Sequence, residues 1–221
     1  MRLYIKISFI LIILPQIIKS ETVRYSIGLT TGINASGIFS NRKINQYWYP
    51  GYETGICFKR YDTKHLGFQL ETNYIERSTM FFIDSILYPN DFYIRKHSQI
   101  ELSFLSNVEL GSGKIKFLAH LGPQIAYLIN SKTIDYGNKA VYDFREIYKT
   151  PIAKFQFGMS LGLGAVFNIK KSLLQTEIRF TQSLTNIISV KATSAYHYVE
   201  TQSICFRIAY LLPIFKNNNL N

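Results

Sequence analysis

The chain is short of cysteine, of charge and, past its first twenty residues, of any long apolar run. Two cysteines, Cys57 and Cys205, are too few for a small scaffold built on disulfides. Charged residues make up 18% of the 221, while Tyr and Phe number 16 each. Few charges with many aromatics suit strands and membrane interfaces better than a soluble helical enzyme. No segment after the N-terminus could be a transmembrane helix. The four histidines, His65, His97, His120 and His197, are scattered without metal-ligand spacing. Gly158-Met-Ser-Leu-Gly162-Leu-Gly164 has the glycines of a nucleotide loop but no helix after it, so nothing presents the backbone amides that such a loop needs. No Ser–His–Asp arrangement stands out. The expectation is a non-enzymatic protein with no catalytic residue, metal site or cofactor.

Acids are the scarcer charge, at 14 against 25 Lys and Arg, for a net +11. The basic residues are scattered through turns and loops, so no nucleic-acid partner is expected. Contact with anionic lipid headgroups or polyanionic surface sugars is one use for them; a solvated loop surface is the plainer one.

What is present begins with an export signal. Arg2 and Lys6 form a basic start, Phe9 to Leu14 with Ile17 and Ile18 an apolar middle, and Ser20 a small residue at the junction. Lys19 and Ile18 are not the small residues of a usual cleavage site, which leaves an uncleaved anchor as the other reading. The stretch is shorter than the ~20 residues a span needs. The division is a signal peptide over 1–20, a single domain over 21–215 and a polar tail over 216–221.

After the signal, bulky apolar residues alternate with small or polar ones in segment after segment. The clearest run sets Phe155, Phe157, Met159, Leu161, Leu163, Ala165 and Phe167 against Gln156, Gly158, Ser160, Gly162 and Gly164. A period of two is a strand with one greasy and one thin, polar face. Such runs predict eight strands: Tyr25–Ser36, Tyr52–Tyr61, Leu66–Ser78, Ser98–Leu110, Lys114–Asn130, Phe155–Phe167, Leu173–Thr185 and Gln202–Leu212. Pro123 has no N–H and should mark a bulge or local break in the fifth. Short connections at Asp62–His65, Gly111–Gly113 and Asn168–Ser172 alternate with long ones at Gly37–Gly51, Thr79–His97, Lys132–Lys154 and Ile187–Thr201. Short turns on one side and long loops on the other are the habit of outer-membrane barrels. The fold class is therefore all-β, an eight-stranded antiparallel up-and-down transmembrane β-barrel.

Volume decides which face points out. An eight-stranded barrel barely holds its own side chains, and dozens of Leu, Ile, Phe and Tyr would overfill it. The apolar face therefore meets lipid, and closure leaves no unpaired edge. The inward set contains Lys59, Glu71, Glu101, Lys116, Glu177, Arg179 and Arg207. Unpaired charges in a narrow lumen are costly, so these should pair, either as a salt-bridged plug or as an ion path. Cys57 and Cys205 should stay reduced, because one strand separates theirs and two strand spacings, roughly 9–10 Å, exceed the ~7 Å that a disulfide spans. Two aromatic stretches are candidate loop contacts: Trp48 and Tyr49 in the first long loop, and Tyr142, Phe144, Arg145 and Tyr148 in the third. Aromatics with Arg suit a recognition surface and equally an interfacial girdle.

Several segments carry a resemblance. Gly28-Leu-Thr-Thr-Gly32-Ile-Asn34, Leu70-Glu71-Thr-Asn-Tyr74, Leu121-Gly122-Pro123-Gln124-Ile125-Ala126-Tyr127, Gly158 to Gly164, Glu177-Ile-Arg179-Phe180 and Leu184-Thr-Asn186-Ile187 together resemble the PorT-like outer-membrane β-barrel family of Gram-negative bacteria. The resemblance implies outer-membrane location, contact with outer-membrane lipid and a barrel without catalytic residues. The family's namesake is associated with a secretion machinery, which implies protein partners in an export or cell-surface complex. The alternatives that the residues leave open are a small passive channel and a secreted soluble barrel that binds an apolar ligand.

Overall fold

In the computed structural model, residues 24–41, 44–84, 88–136, 152–188 and 198–216 are described. They form eight strands: β1 (Arg24–Ser40), β2 (Gln46–Tyr61), β3 (Leu66–Asp84), β4 (Tyr88–Leu110), β5 (Ile115–Tyr136), β6 (Phe155–Ile169), β7 (Ser172–Ser183) and β8 (Val199–Lys216). Each pairs antiparallel with its neighbour in sequence, and β8 pairs with β1 to close the ring. The register can be followed once round: Tyr25 faces Arg60, then Phe68, Ser106, Leu121, Leu161, Phe180 and Ile204, which faces Ala35. The path returns to β1 ten residues above its start. That stagger on eight strands tilts them by about 40° and leaves an interior that side chains fill.

The alternation sets the faces. Leu29 and Ile33 are 70% and 69% exposed, while Thr30 and Asn34 are buried. Leu161, Leu163, Ile178 and Phe206 point out in the same way, and Ser160, Glu177 and Arg207 point in. A continuous apolar exterior of this kind is far larger than the patches water tolerates, and it suits lipid. The arrangement is the reverse of a soluble barrel with an apolar lumen.

The strands run further than their sequence pattern. Thr79–His97, expected as a long loop, is largely ladder, since Thr79 pairs with Arg95 and Phe82 with Phe92. Trp48 and Tyr49 are not loop residues either: both lie in β2, paired with Thr79 and Ser78 of β3. Likewise β5 continues to Tyr136, and β8 begins at Val199. Period-two contrast depends on lipid on one side and a polar lumen on the other. Beyond the membrane both faces meet mixed surroundings, and the contrast fades while the ladder goes on. One strand is shorter than expected. β7 stops at Ser183, whose hydroxyl donates to the Thr185 carbonyl at 2.8 Å.

Pro123 interrupts pairing without shifting it. The β4–β5 ladder lapses opposite Phe104 and Leu105 and resumes in the same register. The register shifts instead where Ile129 is extra between Leu128 and Asn130, and at Pro50–Tyr52 of β2. At the second shift, β1 side chains reach β3 directly across β2. Asn34 donates to the Glu76 carbonyl at 3.1 Å and Ser36 to the Ser78 carbonyl at 2.8 Å. Gly51 makes this approach feasible, because a Cβ there would lie 2.0 Å from the Glu76 carbonyl oxygen.

Both cysteines are free and buried. Cys57 faces Gly28 and Cys205 faces Asn34, on opposite sides of β1. The six-residue offset along β1 adds about 20 Å to the two strand spacings, so the thiols are much further apart than strand order alone implied.

Candidate functional site

The chemistry of this barrel is concentrated in its lumen, where the ring closure brings distant strands face to face. Near the short turns, Lys59 lies 2.7 Å from Glu109 Oε1 and donates to Gln175 Oε1 at 2.9 Å. Lys116 reaches Glu109 Oε2 at 3.0 Å and is only half-buried at the mouth. The Tyr61 ring closes this end, with the cations of Arg24, Lys59 and Lys116 5.4, 5.3 and 5.8 Å from its centroid. Cations at that distance gain from the ring's negative face.

The middle of the lumen is an arginine–carboxylate cluster. Arg179 grips Glu71 with two parallel contacts of 2.7 and 2.9 Å, the fork geometry that makes guanidinium–carboxylate pairs strong. Arg207 reaches the same carboxylate at 2.7 Å and Glu53 at 2.5 Å. Glu177 takes Arg179 at 2.6 Å and Gln175 at 2.6 Å, with His120 Nδ1 3.6 Å away. Gln69 and Asn73 donate the remaining contacts to Glu71 at 2.5 and 3.1 Å. Every carboxylate here is buried, so each needs these partners to offset the loss of water.

Glu101 stands apart from that cluster. It pairs with Arg77 at 2.8 Å and accepts from Ser103 at 3.2 Å. Above it the lumen ends in an apolar stopper of Ile38, Phe81, Tyr93, Ile187, Ile188 and Val199. Ile152 bridges to Ile188, and Ile187 donates to the Val199 carbonyl at 2.8 Å. Two cavities lined by described residues lie between these layers. One lined by Arg77, Gln124, Gln156 and Thr201 and one lined by Arg95, His97, Phe81 and Ile187 measure about 10 Å³ each, room for about one water.

Of the residues expected inside, the structure joins Glu71, Glu177, Arg179 and Arg207 in one cluster, Lys59 and Lys116 in a second, and leaves Glu101 with a partner from outside the set. Buried charged residues outside that set include Glu53, Arg77 and Glu109. Each was in phase: Glu53 with Cys57 and Lys59, Arg77 with Glu71 and Asn73, Glu109 with Glu101. The alternation already set Glu53 on the polar face, and continuing the period of two along β3 and β4 adds Arg77 and Glu109. Of the candidate loop contacts, Trp48 packs its indole on Gly37 of β1, so close that a Cβ at Gly37 would lie 2.7 Å from its Nε1. Tyr142, Phe144, Arg145 and Tyr148 lie outside the described residues. Among the described residues, no group of three or more His, Cys, Asp or Glu is placed to hold a metal.

The family model described as outer membrane protein beta-barrel domain matches residues 16–189. Among solved structures, the outer membrane protein OprG from Pseudomonas aeruginosa is similar at 10% identity, over 87% of this chain and 95% of that one, with a TM-score of 0.49. Neisserial surface protein A is similar at 9% identity over 84% and 95%, with a TM-score of 0.44. Ail, the attachment invasion locus protein of Yersinia pestis, is similar at 9% identity over 85% and 98%, with a TM-score of 0.42. No curated protein matches the chain.

Proposed function

We propose, from the premise that this chain belongs to the family of outer membrane protein β-barrel domains, that it is a non-conducting and non-enzymatic barrel whose work is done at its ends. The location in the outer membrane and the contact with lipid follow from the family and the apolar exterior. The observation that carries the rest is the filled lumen. Ion pairs occupy it from the Tyr61 ring to the isoleucine stopper, and an ion entering would have to break buried guanidinium–carboxylate contacts. Purified protein in planar bilayers is expected to show negligible conductance, and liposomes carrying it should admit no small sugars. Steady, reproducible single-channel openings would instead make it a small passive channel.

Affinity then resides in the connections between strands, for partner proteins of an export or cell-surface complex, which is also the role that a PorT-like relationship supports. Residues 142–148, with Tyr142, Phe144, Arg145 and Tyr148, supply the aromatic and charged mixture that suits recognition. Deleting that stretch should impair crosslinking to neighbours in cells and leave heat-modifiable migration of the barrel intact. Unchanged crosslinking would remove this loop from the contact surface. Delivery to the membrane is assigned to the signal over residues 1–20, with a mature N-terminus near Glu21.

A further inference from the structure

Basic residues that look scattered in the sequence are collected by the topology at one end of the barrel. The β2–β3, β4–β5 and β6–β7 turns lie on that end, and each carries an exposed lysine: Lys64 between β2 and β3, Lys114 between β4 and β5, Lys170 and Lys171 between β6 and β7. Arg24 and Arg60 join them on the same rim, also exposed. The one acid in these turns, Asp62, is taken by Arg60 at 2.7 Å. The lysines have no ion-pair partner among the described residues. At the opposite end the described charges are of both signs, with Lys132 and Lys154 among Asp91, Asp135 and Glu200.

The lysines also sit at a defined depth. Lys114 adjoins Ile115, which is 58% exposed on the lipid face, and Lys170 adjoins Ile169 at 45%. Lys64 is two residues from Leu66, at 44%. A strand residue advances about 3.3 Å, so the backbone of each lysine stands within about 7 Å of the last lipid-facing residue along the chain. This is where a headgroup phosphate lies beside the acyl boundary, and a lysine stem can run along the apolar edge while its charge stays in the headgroup layer. Charge of one sign, left unpaired and fixed at that depth around the rim, is complementary to a layer of phosphates.

We infer that the short-turn rim is a binding surface for anionic phospholipid headgroups of the leaflet it borders. The rim holds a preferred shell of such lipids and thereby fixes the depth of the barrel in the membrane. The surface is separate from the lumen, so a failure here leaves the reading of the barrel as non-conducting untouched.

The test uses the full chain folded into vesicles of phosphatidylcholine alone or with about 30% phosphatidylglycerol. In the mixed vesicles, spin-labelled phosphatidylglycerol should be retained at the protein about tenfold over labelled phosphatidylcholine. The urea midpoint should be higher than in phosphatidylcholine, by a margin that shrinks as salt screens the contact. A variant combining Lys64→Gln, Lys114→Gln, Lys170→Gln and Lys171→Gln should lose most of the lipid preference and keep its midpoint in phosphatidylcholine. Equal midpoints in the two lipids, or a variant with undiminished preference, would overturn the inference. So would an equal rise in phosphatidylcholine vesicles on adding inorganic phosphate, which would assign the surface to free anions.

Discussion

Replacing Arg207 with methionine will destabilise the folded barrel by about 3–5 kcal/mol, the usual cost of removing one partner from a buried ion pair. Arg207 is 2% exposed and touches both Glu53 and Glu71. Without it, Glu53, Glu71 and Glu177 share a single guanidinium, that of Arg179, whose contacts are with Glu71 and Glu177. Glu53 is then a buried carboxylate without its cation, and methionine fills the volume while offering no hydrogen bond. The effect is read as the change in urea midpoint of vesicle-reconstituted protein, followed by the fluorescence of Trp48, the chain's one tryptophan. Adding Glu53→Gln to Arg207→Met should recover part of the loss, because the substitution removes the stranded charge. Strictly additive costs for the two changes would mean that the pair is not coupled, and a cost below about 1 kcal/mol for Arg207→Met would mean that water reaches the cluster.

A second large effect is expected on the opposite face. Leu161 is 49% exposed in the middle of β6, between Leu121 of β5 and Phe180 of β7. Leu161→Arg should cost roughly 2–4 kcal/mol, the price of a cation at the bilayer midplane, whereas Phe155→Arg at the end of the same strand should cost roughly 0–1. The two positions share a strand and a face, so only depth in the lipid separates them. A soluble barrel would show little cost at either site. Equal costs at Leu161 and Phe155 would therefore count against a lipid-facing exterior.

The two predictions differ in how much of their basis could be read in the chain. That Leu161 faces out and Arg207 faces in follows from alternation alone. Each residue's neighbours one and two positions away state its side of the sheet, because the β pleat repeats every two residues. The same signal located all eight strands. It failed at their upper ends, where Thr79 to Asp84 and Tyr88 to His97 continue the ladder outside the lipid. There the two faces no longer meet opposite solvents, and the sequence loses its contrast. It also counted Trp48 and Tyr49 as loop, since Pro50 and Gly51 look like a turn although they form a bulge within β2.

Partners are a different kind of information. Arg179 and Glu71 are 108 residues apart, and Arg207 and Glu71 are 136 apart. Nothing local says that these three meet. Their meeting depends on the register of every ladder between them and on the ten-residue stagger at closure, which a one-residue slip anywhere would change. The same is true of the stopper, where Ile187 and Ile188 come from beyond the end of β7 to cover Ile38 and Phe81. It is true of the basic rim, whose lysines lie up to 107 positions apart, from Lys64 to Lys171, and become neighbours in kind only because antiparallel strands return every second turn to the same end. Composition and alternation determined the class of fold, the side each residue faces and the lipid exterior, since these depend on short-range pattern and on solvent. Which charges pair, what closes each mouth and where the cations gather were decided only by the closed ring, since these depend on contacts between residues far apart in the chain.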